Sequence, residues 1–159
     1  MPPRVWILAL ILAAAATPAG AETYVNARFG YQVDYPADLL TPQGEAANGD
    51  GQRFVSHDNK LIVSVWGTNN ALETSVAGEC AQRIQWEKNR HPLEASYKAV
   101  KSTWFVYTGL SGKTIVYEKA ILSGDVYHTV RLEYPAADKA AYDAIVKRIV
   151  DSFRPGKPD

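Results

Sequence analysis

One cysteine, Cys80, is all the chain contains, so no internal disulfide can form and stability has to come from packing. Charge of one sign is not in excess either. With 17 Lys and Arg against 17 Asp and Glu, and no block of like charge, the chain lacks the basic stripe that nucleic acid or an anionic membrane surface demands. The one long apolar run is Val5 to Ala16, about half of the roughly 20 residues a helix needs to cross a bilayer. Metal-binding histidine pairs are missing: His57, His91 and His128 are too scattered to form a local motif. No serine has the G-x-S-x-G setting, since Ser111 is preceded by Gly109 and Leu110. Internal repeats and long low-complexity stretches are absent as well, and no motif calls for a cofactor or a metal.

The first 21 residues read as an export signal. Arg4 precedes the apolar run, and Thr17, Pro18 and the small residues Ala19-Gly20-Ala21 follow it. Cleavage after Ala21 is expected, which makes the protein periplasmic or secreted and leaves residues 22–153 as one domain with a disordered tail over 154–159. No stable membrane insertion is expected once the signal is removed.

Residues 29–35 alternate Phe29, Tyr31, Val33 and Tyr35 with smaller or polar residues, a strand that Pro36 ends. Pro42 to Gly51 reads as a mobile loop. Gln52 to His57 and Lys60 to Trp66 form a hairpin across Asp58-Asn59, a pair that tolerates the positive φ of a tight turn. From Leu72 the period changes: Leu72, Val76, Cys80 and Ile84 recur every fourth residue, predicting a helix over 72–89 that His91-Pro92 closes. Four strands follow, over 96–101, 103–109, 113–122 and 126–134.

If Gly124-Asp125 is a two-residue loop, Glu118 faces Arg131, Ile121 faces His128, Tyr117 faces Leu132 and Ile115 faces Tyr134. One face is then mainly apolar. The other carries the Glu118 and Arg131 pair, a structural contact of little worth if exposed, beside Val116, Ala120, Leu122 and Tyr127, so it too should be partly covered. A closing helix over 136–153 puts Tyr142, Ile145, Ile149 and Phe153 on one stripe. The fold class is therefore α+β, an antiparallel sheet of six to seven strands with two helices.

Several groups invite a chemical reading. Cys80 lies on the apolar stripe of the first helix and reads as a buried, inert thiol. Asn48-Gly49-Asp50-Gly51 looks like half of a calcium loop, but the acidic residue needed about nine positions after Asp50 is Asn59, and a plain turn explains the same residues. His128 faces the apolar side, where a core histidine hydrogen-bonded to a neighbour is expected. Trp86 falls roughly opposite Ile84 around the helix, where a large ring stays exposed unless a loop covers it. Trp86, Arg53 and His128 are accordingly the candidate binding residues, and no catalytic residue is selected.

The aromatic strand ending in Tyr35-Pro36, the order of strands and helices, and the closing Ile149-Val150-Asp151-Ser152-Phe153 resemble the PsbP/Mog1-like superfamily of α/β/α sandwiches. After Tyr35-Pro36, where many members carry a tryptophan, this chain has Asp38-Leu39-Leu40. The resemblance implies a non-enzymatic accessory or binding role in an exported or organellar setting, and it supplies no catalytic residues. The expected function is thus an exported soluble binding or accessory protein, its partner an unknown protein or small molecule. The alternative is a small periplasmic hydrolase or metal-assisted enzyme centred on His128.

Overall fold

A computed structural model describes residues 20–156, so most of the expected signal segment and the last three residues lie outside it. The elements in chain order are β1 (Ala21–Val25), β2 (Gln32–Pro36), β3 (Leu40–Glu45), β4 (Gly51–Ser56), β5 (Ile62–Asn69), α1 (Val76–Arg90), β6 (Leu93–Val100), β7 (Trp104–Ser111), β8 (Thr114–Ser123), β9 (Val126–Pro135), a 3-10 turn at Ala136–Asp138 and α2 (Lys139–Ser152). Strands β3 to β9 form one antiparallel sheet in the order β3-β4-β5-β9-β8-β7-β6, while β1 and β2 pair as a separate hairpin. Helix α1 rests on β6 and β7; α2 rests on the opposite face, against β2 and β9. The molecule is an α+β sandwich whose α2 layer also contains the β1-β2 hairpin.

The β8-β9 register is the one the two-residue loop implies, with Glu118 opposite Arg131, Ile121 opposite His128, Tyr117 opposite Leu132 and Ile115 opposite Tyr134. In the β4-β5 turn Asn59 takes φ +60°, and Asp58 accepts hydrogen bonds from the Ser56 and Tyr142 hydroxyls, tying the hairpin to α2. Those bonds hold the exposed Asp58 carboxyl down to about 2.

Four elements differ from expectation, the first being β1, which pairs with β2 where no strand was expected. Residues 42–45, expected as the start of a mobile loop, belong to the outermost strand β3; Pro42 is tolerated because an edge strand needs no donor on its open side, and the ladder breaks its register between Pro42 and Glu45. Helix α1 starts at Val76 rather than Leu72. The Asn70 side chain bonds both the N–H and the carbonyl of Thr74, Glu73 takes φ +50°, and Ser75 caps the helix through Gly78 N–H, which leaves Leu72 on the surface. At the other end Arg154, expected in the tail, exchanges backbone hydrogen bonds with Gln32 and so continues the packed structure.

The larger core lies on the α2 face, where Tyr31, Val33, Phe54, Val63, Val65, Val130, Leu132 and Ile149 are fully buried. A smaller one lies beneath α1, built from Val76, Cys80, Phe105, Tyr107, Val116, Ala120 and Tyr127. Each helix covers only part of its face, and each leaves a groove beside it.

Candidate functional site

Directly opposed residues of an antiparallel ladder share a face. Reading across the strands, Arg53 (β4) pairs with Ser64 (β5), Ser64 with Arg131 (β9), Arg131 with Glu118 (β8), Glu118 with Tyr107 (β7) and Tyr107 with Lys98 (β6). This single row carries most of the polar residues of the α1 face. Two positions along runs a second row, Trp66, Thr129, Ala120 and Phe105. Above them α1 brings down Glu79, Arg83 and Glu87, four residues apart on one side of the helix.

The result is a continuous ion-pair chain. Arg83 donates from Nε to Glu79 Oε1 at 2.7 Å, and from Nη1 to Glu118 Oε1 and Thr129 Oγ1, both at 2.9 Å. Arg131 donates from Nη1 to Glu87 Oε1 at 2.7 Å and Glu118 Oε2 at 3.2 Å, and from Nη2 to Glu87 Oε2 at 3.1 Å and Glu133 Oε1 at 3.2 Å. Glu87 and Glu118 are 2% and 3% exposed. For both arginines burial works against the charge, but the surrounding carboxylates outweigh it and raise the pKa, so each stays a cation. The Arg83 guanidinium also lies 5.5 to 5.8 Å from the ring centres of Phe105, Trp66 and Tyr127.

Between α1 and the strands this chain floors a groove of about 630 Å³, with Trp66, Tyr107, Arg131 and Glu133 on the sheet side and Gln82, Trp86, Arg90 and His91 on the helix side. Tyr107 is fully buried, its hydroxyl has no hydrogen-bond partner among the described residues, and burial followed by the Glu118 charge raises its pKa, keeping it a neutral phenol. Trp86 is 53% exposed on the rim, with the Arg90 guanidinium 4.5 Å over its ring. No cysteine, serine or lysine is among the lining residues, and the buried carboxylates are held by guanidiniums.

Of the candidate residues, Trp86 lines this groove. Arg53 shares its row but opens onto an adjoining hollow of about 270 Å³ between the β3-β4 turn and Trp66, and Trp66 belongs to both. His128 is on the other face. It is 4% exposed, its ring meets Tyr31 edge-on at 5.9 Å, and its Nδ1 has no partner, so the expected hydrogen bond at that atom is not made. Desolvation lowers its pKa. The Asn48 and Asp50 side chains bond each other inside the β3-β4 turn. Cys80 is 1% exposed and burial pushes its thiol up, away from reactivity.

Sequence reasoning missed the centre of the site. Arg83, Glu79 and Glu87 are not among the residues the sequence singles out, and the Glu118 and Arg131 pair reads there as a minor contact; the two sets are sealed against each other. The spacing of Glu79, Arg83 and Glu87 shows one charged line along the helix but not which strand it meets. The other groove, about 760 Å³ between α2 and β7-β8, is larger, but Leu110, Ile115, Tyr117, Val146 and Val150 make it mainly apolar. Its helix-side ion pairs, Lys139 with Asp143 and Lys147 with Asp151, are exposed.

No family model and no curated protein sequence matches the chain. Among solved structures it is similar to the solution structure of cyanobacterial PsbP (CyanoP) from Synechocystis sp. PCC 6803, with a TM-score of 0.68, 11% identity, and coverage of 91% of this chain and 97% of that one. The chain therefore has a PsbP-like fold, and at that identity the likeness extends to the fold alone.

Proposed function

We propose that this chain is an exported, non-catalytic binding or accessory protein whose working surface is the α1 groove. One observation carries the reading. Four ionised side chains, Arg83, Glu87, Glu118 and Arg131, are desolvated at the floor of an open cleft, where apolar residues of similar size are often at least as stabilising. Charges kept in such a place are accounted for by what they recognise. The half-exposed Trp86 at the rim fits the same role, because aromatic rings and arginine are enriched at binding surfaces. Export is read from the first 21 residues, and no helix among the described residues is long and apolar enough to cross a membrane.

The alternative, a hydrolase or metal-assisted enzyme centred on His128, requires that ring to border a solvent-reachable cleft beside a carboxylate. Its burial against Tyr31 supports the binding reading instead.

The test is mild crosslinking of tagged protein in its native envelope, comparing wild type with Trp86→Ala and with Leu110→Ala on the opposite groove. A partner held by wild type and by Leu110→Ala but lost by Trp86→Ala is the expected result, with a processed N-terminus at Glu22. A partner lost only with Leu110→Ala moves the surface to the α2 side. Retention of the full-length chain in the cytoplasm removes the export element.

A further inference from the structure

Resting on the α1 groove as the binding surface, we infer that it receives a neutral, hydroxyl-rich ligand, a short saccharide chain laid along the helix. The hydrogen-bonding positions still open in the lining, its charge, its aromatic rim and its shape agree on that class.

The open positions are of both kinds. Among donors, Arg83 spends Nε and Nη1 and keeps Nη2 free, Arg131 keeps only its Nε–H, and the whole Arg90 guanidinium makes no hydrogen bond or ion pair among the described residues. Among acceptors, Glu79 Oε2 and Glu133 Oε2 are unused, on side chains 20% and 34% exposed, whereas Glu87 and Glu118 have both oxygens engaged. The side chains of Gln82, Thr68 and His91 add groups of both kinds.

A ligand charge of either sign meets its like. An anion drawn to the free guanidinium edges also meets the open oxygens of Glu79 and Glu133, and a cation drawn to those oxygens meets Arg90 and the free edge of Arg83. The formal charges nearly cancel, with Glu79, Glu87, Glu118 and Glu133 against Arg83, Arg90 and Arg131. The group that serves donors and acceptors together without charge is the hydroxyl, because it donates and accepts at one atom.

The aromatic rim is independent of that count. Arg90 lies 4.5 Å over the ring of Trp86, yet Trp86 is still 53% exposed, so indole surface stands open beside the polar groups. The C–H face of a sugar ring is apolar and packs on such a surface while its hydroxyls reach sideways. The helix wall runs from Glu79 to Arg90, roughly 16 Å along the axis, a length that suits linked rings. The floor is drawn from β5, β9, β8 and β7, all interior strands, so an extended peptide finds no sheet edge to pair with.

The probes are cellobiose, maltose and N,N′-diacetylchitobiose, set against butylammonium, butyrate and blocked triglycine. Binding is followed by the indole N–H signals of Trp66 and Trp86 in two-dimensional NMR, with Trp104, on the α2 face in the row of Ile121 and His128, as internal control. Saturable shifts at Trp66 and Trp86 are expected with at least one disaccharide, with a Kd of about 1 mM or lower. They should be the same at about 20 mM and about 500 mM salt, since no ion pair forms. The saccharide can be free or part of a longer glycan, and the tightest disaccharide is therefore compared with its own hexamer. Hexamer binding at least about tenfold tighter assigns the groove to a glycan chain, and a smaller gain to a free oligosaccharide.

Glu79→Ala with Glu133→Ala, which touches only the partly exposed carboxylates, should weaken the disaccharide about tenfold. Glu79→Gln with Glu133→Gln should restore it, because an amide oxygen still accepts from a hydroxyl, whereas a cation would be lost with both pairs. Trp86→Ala, read at Trp66, should also weaken it about tenfold. Preferential shifts with butylammonium, butyrate or triglycine, or binding that fades with salt, overturn the saccharide while leaving the groove as the binding surface. Absence of shifts with all three disaccharides up to about 10 mM overturns it as well, and crosslinking through Trp86 then decides separately whether the groove is used at all.

Discussion

Along β9 the residues alternate between two environments. His128, Val130, Leu132 and Tyr134 face α2 and the β1-β2 hairpin; Tyr127, Thr129, Arg131 and Glu133 face α1. On the first side the strand meets close-packed aliphatic and aromatic side chains, and its one polar residue, His128, is left without a bond at Nδ1. On the second it meets a chain of paired charges bordering open space. Both faces are largely dry, yet they are stabilised differently. Apolar burial is non-directional and tolerant of its neighbours, whereas a buried ion pair depends on both partners being present. One face therefore holds the sheet together and the other holds a set of groups at fixed positions.

The largest effect should come from breaking the charged face by one residue. Arg131→Met leaves Glu87, Glu118 and Glu133 without their shared guanidinium, and the expected loss is about 3 to 5 kcal/mol in urea unfolding. Replacing the set together, Arg83→Met, Glu87→Met, Glu118→Leu and Arg131→Met, should recover most of that loss, because the carboxylates then left without a guanidinium, Glu79 and Glu133, keep solvent access. A cost below about 1 kcal/mol for Arg131→Met alone would mean the network behaves as a surface one, and the contrast between the faces would collapse.

The neighbouring residue tests the other face. Leu132→Ala removes a fully buried side chain from the α2 core and should cost about 2 to 5 kcal/mol. Unlike Arg131→Met it should leave capture of the partner crosslinked through the Trp86 rim unchanged. If both substitutions abolish that capture in protein that is still folded, the two faces are not separable.

A smaller effect belongs to His128. Burial lowers its pKa below the ordinary value near 6.5, so in the window beneath that value the unfolded chain takes up a proton that the folded chain does not. Its contribution to stability is thus intact above pH 6.5 and declines as pH falls toward the folded-state pKa, by at most about 1.4 kcal/mol per unit for one proton. His128→Phe, which keeps an aromatic ring against Tyr31, should flatten the profile just below pH 6.5. Asp58 acts in a separate range: with its carboxyl held at about 2, the stability that its bonds to Ser56 and Tyr142 add is lost as pH falls from about 4 to about 2. A wild-type profile with no decline on crossing below pH 6.5 would contradict the burial of His128.

The α2 face was the more legible of the two because period-2 alternation is visible locally. The β8-β9 register follows from Gly124-Asp125 and the alternation of Ile115, Tyr117, Leu132 and Tyr134. Strand β3 was hidden by Pro42, which is informative in a central strand but not at an edge, and β1 by a short, mostly exposed sequence with no apolar alternation. The start of α1 was set by Asn70 and Ser75, local side-chain bonds that override the apolar period at Leu72. The α1 site was illegible for a different reason. Its floor draws on four strands and its wall on a helix placed by a crossover, so Glu87 meets Arg131 across 44 residues, and periodicity within one element cannot report such a contact. Trp86 could be found because its position around the helix depends on α1 alone.

Trp86 also supplies the smallest effect on stability and the sharpest one on function. Its ring is 53% exposed and touches the rim through Arg90 rather than the sealed network, so Trp86→Ala should change the unfolding free energy by no more than about 0.5 kcal/mol. Leu72→Ala, at the most exposed large apolar residue of the described chain, is the matched control. If the groove is where this protein meets its ligand, Trp86→Ala weakens binding at nearly unchanged stability while Leu72→Ala alters neither. That dissociation is the opposite of the one expected for Leu132→Ala, which loses stability and keeps binding. Equal binding losses from Trp86→Ala and Leu72→Ala would instead describe general surface stickiness, and the charged face would then have to be explained without a ligand.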